Sequence, residues 1–279
     1  MSDYNVNPSI QAALDGGYQK SDPTRFCYSA SKTAVINNTI SKEYKTNYVI
    51  ATWSGHRRDG NEELQVDSTS YIKKHLTALK SFDHHLNQIT ICIPDNKQEP
   101  EIFSQYINSL SNQENFKILR RPNKGQSYGS WVDSFKHYSH FDYYIFVEDD
   151  YIPQKNNFDS ILISLFKASE NCGYLCSRVD KYPPTNYNGR PHAAISNGIS
   201  SREVLQSLIS DFKYGEKSTD VHSYAATPQL EFSWTFLDAG YWLYDYSNHF
   251  SAPYYHVGKL QTYGNMRLAP LFYPAQLLK

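Results

Sequence analysis

The chain has 279 residues and a formal net charge of −1, with 27 Lys and Arg against 28 Asp and Glu. That length suits one large domain or two closely packed halves, and the near-neutral balance without a long basic run excludes nucleic acid as a partner. Aromatic residues reach 15%, and 24 residues are Tyr, a composition that suits surfaces stacking bases or sugars while keeping a polar handle. Cys27, Cys92, Cys172 and Cys176 lack paired Cys-x-x-Cys or Cys/His spacing and read as reduced core thiols. The N-terminus is polar and no apolar run approaches a membrane span, so a soluble, cytoplasmic protein is expected.

Residues 1–45 are rich in Ser, Asn, Tyr and Thr, with turn signals at Gly16-Gly17 and Asp22-Pro23, and read as an N-terminal extension whose Phe26 and Tyr28 can pack on the main domain. Tyr48 to Trp53 is the first convincing strand, followed by a polar loop through Gly55 and Gly60 and a helix over Ser70–Leu79. Gln88–Ile93 is a second strand, closed by Pro94-Asp95-Asn96, and a helix follows to Leu110. Phe116–Leu119 supplies a third strand and Ser127–His137 a third helix. This alternation predicts an α/β domain with a parallel sheet.

Asn123-Lys124-Gly125-Gln126-Ser127 links the third strand to its helix. Glycine lets the backbone approach a ligand, Ser127 is a candidate N-cap, and a helix N-terminus attracts anions. The stretch is no P-loop, since it lacks the terminal Gly-Lys-Ser/Thr. Trp131 and Phe135, four apart, read as the core face of the helix.

Tyr143–Val147 is a run of aromatic and β-branched residues, the composition of a strand buried on both faces, and it ends in Glu148-Asp149-Asp150. In open α/β sheets ligands collect at the carboxyl ends of strands, and clustered carboxylates repel one another unless a cation compensates them. Hard oxygen ligands favour a divalent cation such as magnesium or manganese, whose open positions commonly carry a diphosphate. The competing reading is that the acids cap a helix or solvate a turn.

Beyond Pro153 a helix is expected over Phe158–Phe166 and a strand at Tyr174–Cys176, then a Pro/Asn/Gly-rich loop from Tyr182 to Pro191. His192 to Arg202 reads as strand, Gly turn and capped helix. Pro228 to Tyr241 reads as a helix ending at Ala239-Gly240, with a strand following to Tyr244. Glu231 lies in the first turn of that helix, where an acid is favourable without any chemistry.

The hydrophobic strand, the Val-Glu-Asp-Asp run and the Pro that follows resemble the Asp-x-Asp motif of GT-A glycosyltransferases, in the form of the N-acetylglucosaminyltransferase I type. The Asn-x-Gly at Asn123 and Gly125 and the Ala-Gly-ended helix are similar to segments of family 2 enzymes. The resemblance implies a GT-A-like, Rossmann-type, mostly parallel sheet flanked by helices, with residues 46–155 binding the nucleotide sugar and residues 156–279 forming the acceptor-binding half of the same domain. By position, Thr52 and Asp95 would hold the base and ribose, and Asn123, Lys124 and Gly125 would lie near the donor sugar. Asp150 would be the direct ligand of Mn2+ or Mg2+, with Glu148 and Asp149 acting through water or the ribose. His256 matches a late histidine that completes the metal shell or touches the diphosphate. The sequence departs from family 2 at the catalytic acid. Gln229 stands at the usual Asp position, which transfers the base role to Glu231, with Asp238 or Asp220 next in line. The implied activity is transfer from a nucleotide diphosphate sugar, UDP-linked in preference to GDP-linked, to a glycan or other hydroxyl acceptor, with inversion. A sugar nucleotidyltransferase and a non-catalytic binding protein of the same fold are the alternatives. The loop after the first strand is a poor triphosphate loop, which disfavours the former, and Gln229 gives the latter its weight.

Overall fold

The computed structural model describes residues 27–31, 33–54, 56–58, 65–180, 191–193, 197–212, 226–246, 254–255, 266–267 and 272–274. The strands of the main sheet are β1 (Cys27–Ser29), β2 (Thr46–Ala51), β3 (Gln88–Pro94), β4 (Phe116–Arg121), β5 (Tyr143–Glu148), β6 (Cys172–Cys176), β7 (Asn197–Ser201) and β8 (Trp242–Asp245). The helices are α1 (Ser68–Ser81), α2 (Glu101–Leu110), α3 (Gln126–His137), α4 (Phe158–Lys167), α5 (Arg202–Leu208) and α6 (Ala226–Asp238). None of the helices among the described residues is long and apolar enough to cross a membrane.

Among the described residues the sheet has eight strands in the order β1-β8-β6-β7-β5-β2-β3-β4. Neighbours are parallel except where β7 runs antiparallel to β5 and to β6. The fold is the α/β, mostly parallel arrangement that the resemblance implies. β2, β3 and β5 are buried along almost their whole length, as continuous apolar runs covered on both faces must be. Tyr48 meets His75 of α1 and Phe158 of α4 on one face. On the other, Phe146 lies under Trp131 of α3 at 5.4 Å and against Phe232 of α6 at 6.4 Å. Trp131 and Phe135 are both buried, as their spacing predicts, and Cys92, Cys172 and Cys176 are buried free thiols.

The connections explain where a site forms. The chain steps from β2 outward to β3 and β4, then returns to the opposite side of β2 as β5. β2 and β5 therefore flank a topological switch point, and the carboxyl ends of such strands are where open α/β sheets generally bind ligands. Ala51 pairs with Glu148 in the ladder, so the two strands end level and the three acids emerge beside Thr52.

Two local expectations are corrected. Gly198 is no turn residue: it lies inside β7, paired with Phe146 and Cys176. A Cβ there would stand 2.6 Å from the Leu175 carbonyl oxygen and the Tyr174 hydroxyl, so the glycine serves close packing. Ser201 does cap α5, accepting from the Val204 amide at 3.3 Å. Second, Ser127 does not cap α3, whose N-cap is Gly125 at φ 68°. Described residues before 45 pack on the domain. β1 pairs in parallel with β8, Ala30 is buried in the core, and the Ser41 and Ser160 hydroxyls meet at 2.6 Å.

Candidate functional site

The acids at the switch point have distinct surroundings. Asp149 is buried, and its carboxylate Oδ2 accepts a hydrogen bond from the Thr52 hydroxyl. The Asp149 amide donates to the Ala51 carbonyl at 3.1 Å. Thr52 and Asp149 thus tie the end of β2 to the turn after β5. Thr52 and Asp149, expected from the sequence near the base and ribose, are hydrogen-bonded to each other.

Glu148 and Asp150 are half-buried. Glu148 Oε1 accepts from the hydroxyl of Ser127, at the start of α3. Tyr151 connects the two acids: burial raises its hydroxyl pKa, and the Asp150 and Glu148 charges raise it further. Tyr151–Pro153 also pairs antiparallel with Phe272–Pro274, so those three residues lie alongside the strand that follows the acid turn.

The loop from Pro122 to Gly125 borders this site and is held from beneath by Arg121. Arg121 is only 4% exposed. Its Nε donates to Asp133 Oδ2 at 2.6 Å, and its Nη2 donates to the Lys124 carbonyl. Asn123 and Lys124 are exposed and Gly125 is buried. Gly125 and Gln126 both have positive φ, 68° and 51°, a conformation that suits glycine and strains glutamine. A Cβ on Gly129 would collide with the Lys124 carbonyl and the Arg121 guanidinium. Gly129→Ala is expected to cost about 1–3 kcal/mol of stability through overpacking, read as a lower urea midpoint.

Asp95 is exposed at the end of β3, with its amide bonded to the Arg121 carbonyl at 2.7 Å. Arg120 forks onto Glu99 with two contacts of 2.8 Å, which holds the Glu99 carboxyl below its ordinary range.

Glu231 is buried on α6. That helix runs against the direction of the parallel strands. Its C-terminal end meets the start of β6, where Asn171 donates to the Gly240 carbonyl at 2.7 Å. Its first half therefore faces the carboxyl edge, where Phe232 contacts Tyr128, the neighbour of Ser127, at 5.2 Å. Gln229 donates to the Ala193 carbonyl at 2.6 Å and holds that segment to the helix. His256 and Asp220 lie outside the described residues.

The site also rests on a residue that the sequence reading passed over. His75, on α1, is fully buried, with Nε2 2.8 Å from the Tyr48 hydroxyl and Nδ1 3.1 Å from the Asp149 carbonyl. Burial lowers its pKa to about 4 despite the bond to Asp149. The available signal was a histidine inside the apolar stripe of Ile72, Leu76 and Leu79. In the unfolded chain His75 takes up a proton near pH 6.5, and in the folded one only near 4. The unfolded state holds the extra proton between those values. Stability is therefore fully present above about pH 6.5 and falls by about 3 kcal/mol as pH drops to 4. Urea unfolding at both pH values checks this, since in His75→Asn the acid loss shrinks by that amount.

Among the described residues, no three His, Cys, Asp or Glu side chains are grouped to hold a metal ion. A divalent cation in a nucleotide site commonly takes one or two carboxylates and completes its shell with phosphate oxygens and water. Glu148 and Asp150 fit that requirement, whereas Asp149 is turned inward. A separate shallow cavity of about 490 Å³ lies between Lys42, Lys80, His84 and Asn157, at the amino-terminal edge of the sheet, away from the acids.

The fold and the site define a mostly parallel α/β protein with an acid turn at the switch point of its sheet. No protein-family model matches the sequence, and no curated protein matches it. Among solved structures, the chain is similar to a mannosyltransferase from Pyrobaculum calidifontis in complex with GDP-Man and Mn2+, at 10% identity over 85% of this chain and 64% of that one, with a TM-score of 0.46. It is also similar to GalNAc-T7 with UDP, GalNAc and Mn2+, at 9% identity over 72% of this chain and 42% of that one, TM-score 0.47. A cytidylyltransferase from Leptospira borgpetersenii is similar at 14% identity over 72% of this chain and 75% of that one, TM-score 0.45. The chain thus spans less than two thirds of the length of both glycosyltransferases.

Proposed function

We propose that the protein is a metal-dependent glycosyltransferase that moves a sugar from a nucleotide diphosphate sugar to a hydroxyl acceptor with inversion. The observation that carries this reading is the placement of Glu148 and Asp150 at the switch point between β2 and β5, beside a glycine loop and the start of α3. Asp150 and Glu148 would hold Mn2+ or Mg2+, which when bound neutralises the leaving diphosphate as a Lewis acid. Ser127 fixes the Glu148 carboxylate, and the Thr52–Asp149 pair fixes the turn that presents both acids. Asn123, Lys124 and Gly125 border the donor sugar, and the exposed Asp95 is the remaining candidate for the ribose.

Glu231 is the proposed general base. As the acceptor oxygen attacks the anomeric carbon, its proton passes to the Glu231 carboxylate and the bond to the diphosphate breaks, releasing the nucleotide diphosphate. The donor is read as a UDP-sugar and the acceptor as a glycan, and His256 remains a proposed metal or diphosphate contact.

Gln229 favours a second reading. The residue at the usual acid position is a structural amide bonded to the Ala193 carbonyl, as fits a binding protein that keeps the fold without the chemistry. Hydrolysis of a panel of nucleotide sugars with and without manganese separates the two. Manganese-dependent release of the nucleotide diphosphate supports the transferase, and nucleotide binding without turnover supports the binding protein.

A further inference from the structure

We infer that His75 is a positioning residue that sets the acid turn, by donating from Nδ1 to the Asp149 carbonyl while accepting from the Tyr48 hydroxyl at Nε2. As a statement about donor binding, this rests on the reading of the turn as the nucleotide-sugar site.

The chemistry of the partners fixes the direction of each bond. A carbonyl oxygen only accepts, so at 3.1 Å from Asp149 O the Nδ1 atom carries the proton. Nε2 is then a bare acceptor, and the Tyr48 hydroxyl 2.8 Å away donates to it. Tyr48, His75 and Asp149 are each 0% exposed. Burial holds the imidazole neutral, and the same burial raises the Tyr48 hydroxyl, so neither group ionises near neutral pH.

These bonds reach the turn from a different side than the rest. The Asp149 amide is held by Ala51 and its carboxylate by Thr52, both from β2. Its carbonyl is held by His75 from α1. The peptide unit between the two proposed metal carboxylates is thereby fixed at its amide, its side chain and its carbonyl. Loosening the carbonyl lets the following peptide rotate and changes the separation of Glu148 and Asp150.

Two substitutions separate this role from simple core support. The asparagine amide nitrogen occupies the place of Nδ1, so His75→Asn keeps a donor for the Asp149 carbonyl and gives up the bond to Tyr48. The glutamine amide reaches the place of Nε2, so His75→Gln keeps a partner for Tyr48 and leaves the carbonyl without its donor. Tyr48→Phe leaves the bond to Asp149 in place and is the milder control if either histidine variant folds poorly. The measurements, on the full chain, are amide hydrogen exchange across Glu148–Tyr151 and affinity for UDP with Mn2+. His75→Gln is expected to speed exchange across the turn by about fivefold or more, and to weaken UDP binding by about tenfold. His75→Asn and Tyr48→Phe are expected to stay within about threefold of wild type on both. Equal exchange across the turn in His75→Gln and His75→Asn overturns the positioning role, whatever the nucleotide result. If the variants split in exchange while the wild type binds no nucleotide diphosphate, the donor-site reading falls and the positioning of the turn stands.

Discussion

Glu231→Gln is expected to lower sugar transfer by about 10²–10⁴-fold while leaving donor affinity nearly unchanged. The amide keeps the shape of the carboxylate and cannot take the acceptor proton. Because Glu231 is buried in the half of α6 that faces the carboxyl edge, a neutral replacement of the same size is not expected to disturb the packing of Phe232 behind it. Single-turnover transfer and calorimetric titration of the nucleotide diphosphate, run on the same preparation, give the two quantities. A variant near wild type in transfer moves the base elsewhere. Asp238 is exposed at the opposite end of the helix, which leaves Asp220 as the next candidate. A variant that also loses nucleotide binding withdraws the mechanistic role.

The second large effect concerns the metal. EDTA is expected to abolish measurable donor binding, and Asp150→Asn to weaken manganese-supported affinity by about 100-fold, since losing even a hydrogen-bond partner of a metal ligand costs about 10–100-fold. Glu148→Gln keeps a bond to Ser127 and is expected to fall between Asp150→Asn and wild type. Equal affinity for UDP in manganese and in EDTA would sink the metal reading. A greater loss in Glu148→Gln than in Asp150→Asn would exchange the roles of the two acids. Asp149→Asn acts differently, because its carboxylate faces Thr52 inside the fold, and it is expected to show first as lost stability.

Much of this was legible in the residues because the relevant signals are local. The strand-helix units from β2 to α4 follow from apolar runs, helical spacing and Gly or Pro punctuation. The acid turn follows from a buried run that stops at three carboxylates. What escaped is what depends on partners distant in the chain. Asn197-Gly198-Ile199-Ser200-Ser201 has the composition of a turn, and it becomes a strand because β5 and β6 supply ladders on both sides and Tyr174 fills the space above Gly198. Ser127 reads as a cap in the sequence because the Glu148 carboxylate, which accepts the hydrogen bond from its hydroxyl, lies 21 residues away. Thr52 and Asp149 were assigned to ligand by their place at strand ends, and that place alone does not reveal that neighbouring strand ends satisfy each other. His75 was one polar residue in an apolar stripe, and its meaning appears only when Tyr48 and Asp149 are brought to its two nitrogens.

The strand at the outer edge of the sheet bears on how the molecule assembles. β1 pairs Cys27 with Leu243, closing a loop of roughly 200 residues for three ladder positions, whereas β2, β3 and β4 are joined by short crossovers. Loop-closure entropy makes distant pairings late events in folding. The β1–β8 ladder is therefore expected to form after β2 to β5 have condensed, and as a short strand with a neighbour on one side only among the described residues it is expected to be among the first elements to open in native-state exchange. While it is open, the rim of β8 is exposed for pairing with another chain. Among the described residues β1 covers that rim, as edge strands are commonly covered in natural sheets, at the far end of the sheet from the acid turn.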